Sequence, residues 1–227
     1  MTAAIEIPDE MPVMTLPGAV FFPKTVIPLR IFEPRYRDML EHVLAGSRIF
    51  AVAALAGKQS GGLSPFEPPH RVATAGIVRA CQKNDDGTSM LLLEGLSRIE
   101  ILSIVRELPY RLISVRPLAD VPIEDPKGLS KLRNLLVRAF TLRAKLGGDF
   151  PADLRKAVDD IRDPAALCDL LVFSIARDKG FKQRMLETLD PAERLKETIR
   201  FFQRESEILA IQRRTQGRLA DDEVGNN

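Results

Sequence analysis

From residue 12 to residue 121 the apolar positions come in short runs separated by turn residues, the pattern of strands rather than of long helices. The runs predict strands at 13–16, 26–29, 49–55, 72–83, 88–93, 98–106 and 110–116. Between the fourth and fifth lies Asn84-Asp85-Asp86-Gly87. Asp-Gly supplies the positive φ angles of a tight hairpin, so 72–83 and 88–93 are expected to pair antiparallel. In the 98–106 run, Ile99 and Ile101 fall on one face and Leu102 and Ile104 on the other, which predicts a strand covered on both sides. One helix interrupts this half. Tyr36, Met39, Leu40, Val43 and Leu44 follow the spacing of a single buried stripe, with Pro34 in the first turn and Gly46 at the stop. Residues 57–69 (GKQSGGLSPFEPP) are rich in Gly, Ser and Pro and read as a long exposed loop.

After the linker-like residues 122–128 (PIEDPKG) the period changes. Leu132, Leu135, Leu136, Ala139, Leu142 and Leu146 lie at helical spacing, and Gly147-Gly148 ends the run. Asp163-Pro164 opens a second helix over 165–177, apolar almost all round and therefore expected to be buried. A short helix over 181–189 precedes Asp190-Pro191-Ala192-Glu193, where Asp190 and Glu193 occupy capping-box positions. The last helix carries Leu195, Ile199, Phe202, Ser206 and Leu209 at alternating spacings of four and three. From residue 191 to 216 it would be about 39 Å long at about 1.5 Å per residue, so its far end is expected to reach beyond the body. The pattern thus predicts an α+β chain: a strand-rich part over 11–121, a helical bundle over 122–216, and an unstructured tail over 217–227.

Composition adds mainly exclusions. Across 227 residues, 45% apolar and 28% charged side chains suit an ordinary globular protein with its own core. Two cysteines, Cys81 and Cys168, cannot build a disulfide framework or a four-cysteine zinc site, and both read as small core hydrophobes. The two histidines, His42 and His70, show no metal-ligand spacing. Residues 1–125 hold 13 basic and 15 acidic side chains, net −2, against 20 and 16, net +4, in residues 126–227. That is a mildly basic helical half, not a nucleic-acid stripe. The longest apolar run, 49–56, is too short to span a bilayer, and no secretory leader opens the chain, so no membrane contact is expected and the cytoplasm is the expected compartment.

Tests for catalysis give the same direction. Of the phosphate-loop pattern only Gly57-Lys58 is present, with Val52 where the first glycine belongs and Gln59 after the lysine. No glycine-flanked serine with a companion lysine base follows residue 150. The pairs Asp85-Asp86 and Asp159-Asp160 are expected in turns or facing solvent. No cofactor and no metal are expected.

Three stretches carry a family resemblance. The first is Leu16-Pro17-Gly18-Ala19-Val20-Phe21-Phe22-Pro23 followed by Ile27-Pro28-Leu29-Arg30-Ile31-Phe32-Glu33-Pro34-Arg35-Tyr36-Arg37. The second is Ala75-Gly76-Ile77-Val78, Asp86-Gly87 and residues 91–98 (LLLEGLSR); the third is 167–175, 182–187, Glu193-Arg194-Leu195 and 205–212. Together they resemble the N-terminal domain of the bacterial Lon protease over about residues 11–214. The resemblance implies a PUA-like mixed β-barrel followed by a helical bundle that ends in a long helix. It implies binding of unfolded or damaged polypeptides, in service to an ATPase and a Ser–Lys protease that this chain is expected to lack. On that reading, Phe21 and Phe22, beside Pro17-Gly18 and Pro23, and Leu63 and Phe66, in the 57–69 loop, are candidate substrate contacts, unless these rings plug the barrel end or the domain junction. Glu33, Arg35 and Tyr36 are expected to fix the helix entry. Two other readings compete: an RNA-binding PUA-like protein, and a structural adaptor that docks a protease or a second copy through the 191–216 helix.

Overall fold

A computed structural model describes residues 5–56, 67–147, 150 and 152–224, with 152 and 216–224 as backbone alone. The chain runs β1 (Glu10–Leu16), β2 (Val26–Ile31), α1 (Pro34–Ala45), β3 (Ile49–Ala54), β4 (Val72–Lys83), β5 (Ser89–Arg106) and β6 (Leu112–Leu118). It continues as α2 (Pro126–Lys145), α3 (Ala152–Asp160), α4 (Pro164–Ile175), α5 (Lys179–Glu187) and α6 (Pro191–Val224). Two compact units result: Met1–Asp120 with Asp169–Leu189, and Val121–Cys168 with Asp190–Asn227.

In the first unit the six strands form one sheet in the order β2-β5-β4-β3-β1-β6, and β5 pairs again with β6. Strands β5, β4, β3, β1 and β6 therefore close a ring, with β2 appended to β5. The long strand β5 makes closure possible. Its first part pairs with β2 (Val26↔Glu94 through Ile31↔Ser89) and its last part with β6 (Arg98↔Leu118 through Arg106↔Leu112). The two strands expected at 88–93 and 98–106 are thus one. Gly95, between them, marks a close backbone crossing rather than a turn. A Cβ there would meet the Phe22 carbonyl, and the Gly95 carbonyl and N–H bond to Lys24 N (2.8 Å) and Thr25 O (2.9 Å).

Both faces of β3 are buried because two clusters share it. Phe50 and Val52 join Tyr36, Met39, Leu40 and Val43 of α1, together with Leu29, Ile31, Leu91 and Leu93. Ile49, Ala51 and Ala53 join Ala73, Ala75, Ile99 and Ile113. At about 1.5–3 kcal/mol per buried large aliphatic side chain, α1 is held by this packing more than by helix propensity. Leu44, the fifth member of its expected stripe, lies outside the buried set. Leu102 and Ile104 also depart from expectation, at 51% and 38% exposure. The β4 ladder stops at Val72↔Glu100, and beyond the bond from Ile101 N to Arg71 O (2.8 Å) no strand among the described residues accompanies β5 on that side.

Residues 169–189 belong to this unit through a buried polar contact. The Arg98 guanidinium on β5 makes two bonds to the Asp169 carboxylate of α4 (2.8 Å each), and its Nε donates to the Leu186 carbonyl of α5 (3.0 Å). Gln183 Nε2 donates to Val72 O at 3.0 Å. A single division near residue 122 is therefore replaced by a strand-rich unit that recruits a later segment.

In the second unit α2 packs on α6. Leu129, Leu136, Ala139 and Phe140 of α2 and Leu195, Ile199 and Phe202 of α6 are buried. The short helix α3, absent from the pattern reading, buries Leu154 and Val158 at i, i+4. Arg133 closes its end by donating to Val158 O (3.1 Å) and Ile161 O (2.7 Å). Asp190 caps α6 through Ala192 N, whereas Glu193 pairs with Lys196 (2.7 Å) in place of the expected reciprocal bond. The backbone stays helical to Val224, where a tail was expected. Each residue added to a formed helix gains a bond, and one glycine at 217 costs only about 1 kcal/mol.

Candidate functional site

Of the expected contact residues, Phe21 and Phe22 do not reach the surface. Phe21 is 1% exposed and Phe22 is 0% exposed. Phe21 packs edge-on to Phe173 of α4 at 6.4 Å and its carbonyl accepts from Thr74 Oγ1 (2.6 Å). Phe22 lies beneath Gly95, with the Arg98 guanidinium 6.0 Å from its ring. Pro17-Gly18 and Pro23 thus turn the chain inward, and the two rings are core. Leu63 and Phe66 lie outside the described residues.

Glu33, Arg35 and Tyr36 form a compact group at the start of α1. Arg35 bonds Glu33 Oε2 through Nε (3.0 Å) and lies 4.6 Å over the Tyr36 ring. The Tyr36 hydroxyl donates to the Thr15 carbonyl and accepts from Thr15 N, both at 3.2 Å, so α1 is fastened to β1.

Clefts offer little chemistry. One of about 510 Å³ is lined by Gly18, His70, Lys179, Gln183 and Glu187, with His70 Nδ1 3.7 Å from Glu187 Oε1. Among the described residues no group of three or more His, Cys, Asp or Glu side chains is placed to hold a metal ion, and neither Cys81 nor Cys168 is in a disulfide. Asp86 and Glu100 are held below the usual carboxylate range, Asp86 chiefly by the Thr88 hydroxyl bond and Glu100 chiefly by the Arg116 bond. Burial lowers the Lys182 ammonium, which donates to the Phe173 carbonyl at the end of α4 (2.6 Å). Each of these groups is satisfied where it stands. Two cations of α6 are likewise paired, Lys196 with Glu193 and Arg200 with Glu197.

What the structure exposes is apolar sheet. Along β2, burial alternates, with Leu29 and Ile31 inward and Val26, Pro28 and Arg30 outward. On β5 the outward residues are Met90 and Leu92, paired with Arg30 and Pro28. Val26 (49% exposed), Pro28, Met90 (43%) and Leu92 (44%) therefore share one solvent-facing patch at the edge of the sheet. Pro28 and Leu92 are directly opposite, a spacing of about 4.5–5.5 Å at Cβ, and Val26 and Met90 flank them on the diagonals at about 7–8 Å. The run Leu91-Leu92-Leu93 hid the patch in the sequence, since an unbroken apolar run does not say which face is wet. Pro28 was the available signal, because proline inside a strand marks an edge.

A ring-closed sheet carrying later helices and an exposed apolar edge defines a mixed α+β domain. Solved structures share the fold. The chain aligns to the Lon N-terminal domain protein from Xanthomonas campestris with a TM-score of 0.59 at 21% identity, over 83% of this chain and 95% of that one. It aligns to the N-terminal domain of the Mycobacterium avium complex Lon protease with a TM-score of 0.61 at 19% identity, over 86% and 98%. A family model, the ATP-dependent protease La (LON) substrate-binding domain, matches residues 10–204, and the chain belongs to that family. Relatives include the Lon proteases of Dictyoglomus thermophilum (27% identical, 96% of this chain, 27% of the relative) and Syntrophomonas wolfei (29%, 90% and 25%). The chain spans about a quarter of the length of these relatives. Among the described residues no helix is long and apolar enough to cross a membrane.

Proposed function

We propose that this chain is a non-catalytic polypeptide-binding module whose ring of strands is a PUA-like β-barrel, and that it captures unfolded or damaged protein on the β2–β5 face. The observation that carries the reading is the patch of Val26, Pro28, Met90 and Leu92. A binder of non-native chains needs apolar surface that stays wet in its own folded state. The near balance of charge over the whole chain, +2, favours polypeptide over RNA as the ligand. Work in the cytoplasm, as an adaptor that hands chains to a protease, follows from the same reading.

The test is co-sedimentation and aggregation suppression with a destabilised model protein at micromolar concentration. Met90→Ser with Leu92→Ser removes two half-exposed apolar side chains, about 1 kcal/mol each on contact. Capture should weaken by about tenfold or more while circular dichroism stays unchanged. Failure of the unmodified protein to capture or protect the substrate refutes the reading.

A further inference from the structure

The free edge of β2 carries more than apolar side chains. In an antiparallel ladder, successive residues turn their N–H and C=O groups alternately toward and away from the neighbouring strand. Gly95 directs its N–H to Thr25 O and its carbonyl to Lys24 N, so on β5 it is Leu93, Leu91 and Ser89 that face β2. Their partners Ile27, Leu29 and Ile31 face β5, and Val26, Pro28 and Arg30 turn their backbone groups outward. Pro28 fits this phase, because its missing N–H removes no bond to β5. Among the described residues β2 has a strand neighbour on the β5 side only. The outward edge therefore offers N–H and C=O at Val26 and Arg30, and C=O at Pro28. Arg30 is exposed and makes no ion pair within 4.0 Å among the described residues, although its charge reaches Asp86.

Resting on the polypeptide-binding reading, we propose that β2 accepts the captured chain as an added antiparallel strand. The occupant is an extended segment with apolar residues opposite Val26 and Pro28 and a carboxylate opposite Arg30. Residues directly opposite on an antiparallel pair share a face, so those two apolar side chains extend the Met90–Leu92 patch and the carboxylate completes an ion pair with Arg30. Pro28 has a second effect. It withholds one donor from the edge, which disfavours pairing of β2 with β2 of another copy.

The probe is a fluorescent nonapeptide bearing Glu, Leu and Val at alternate positions in that order from its N-terminus, in three forms: unmethylated, N-methylated at those three residues, and N-methylated at the intervening ones. The recognised residues are the ones whose N–H groups face β2. Methylation there should weaken binding at least tenfold, and methylation between them should be tolerated. Exchanging Glu for Lys in the peptide should weaken binding, and Arg30→Glu should reverse that preference. If all three forms bind alike, strand addition is overturned while capture by the apolar face stands. If none binds, both fall. A concentration-dependent dimer in sedimentation that excludes the peptide would assign the edge to a second copy and likewise overturn the proposal.

Discussion

Asp169 and Arg98 allow a quantitative test of what attaches α4 and α5 to the strands. The side chains are 4% and 5% exposed at Arg98 and Asp169, and the carboxylate accepts both guanidinium bonds at 2.8 Å. Removing either partner leaves the other charge dry and unpaired, at a cost of about 3–5 kcal/mol. Replacing both with apolar residues of similar volume removes the desolvation penalty along with the attraction, and is often near neutral. Asp169→Leu and Arg98→Met alone should each lower the urea midpoint by about 1–2 M, taking a slope of about 2–3 kcal/mol/M. The double variant should fall short of the summed losses by at least about 2 kcal/mol. Far-UV circular dichroism follows the transition, and hydrogen exchange should locate the loss in β5, α4 and α5 rather than α2. If a single substitution moves the midpoint by less than about 0.3 M, or the two losses add, the pair does not hold these elements together.

Other outcomes follow from single contacts. Gly95→Ala drives a methyl group into the Phe22 carbonyl and should destabilise by about 1–3 kcal/mol or more, read by urea titration. Asp86 has a depressed folded-state pKa, so its stabilisation is present above the unfolded value of 3.8 and lost as pH falls through the folded one. Exchange protection at the Thr88 amide, which donates to Asp86 Oδ1 (2.9 Å), should therefore drop as pH falls below 3.8, and Asp86→Asn should flatten that dependence. Arg143→Ala removes the half-buried pair with Glu205 and should raise exchange in α2 and α6 while leaving the β-sheet amides unchanged.

Local signals read well where the decisive contacts were local. The helix at 34–45 follows from a stripe whose first four members are its buried residues, and the turn at 84–87 follows from Asp-Gly. The all-round apolarity of 165–177 correctly marks α4. What escaped depends on distant partners. Gly95 reads as a break until the backbone of Phe22 is seen to cross it. Arg98 finds its carboxylate in Asp169, 71 residues away, a pairing that no local pattern marks. Phe21 and Phe22, framed by Pro and Gly, look like a surface turn, but α4 covers one and β5 passes over the other. The β2–β5 patch was missed for the converse reason. Its residues look like core, and only their position at the end of the strand order leaves them wet.

The return of residues 169–189 to the strand-rich unit has a consequence for biosynthesis. All six strands have left the ribosome long before Asp169 and Leu186 are made. At about 5–20 residues per second, the stretch from Leu118 to Leu186 takes several seconds to translate. Throughout that interval Arg98 has neither its carboxylate nor its carbonyl, and the ring of Phe21 has no α4 to pack against. The nascent sheet is therefore itself an incompletely folded chain with exposed hydrophobes, the kind of polypeptide that the finished molecule is proposed to bind.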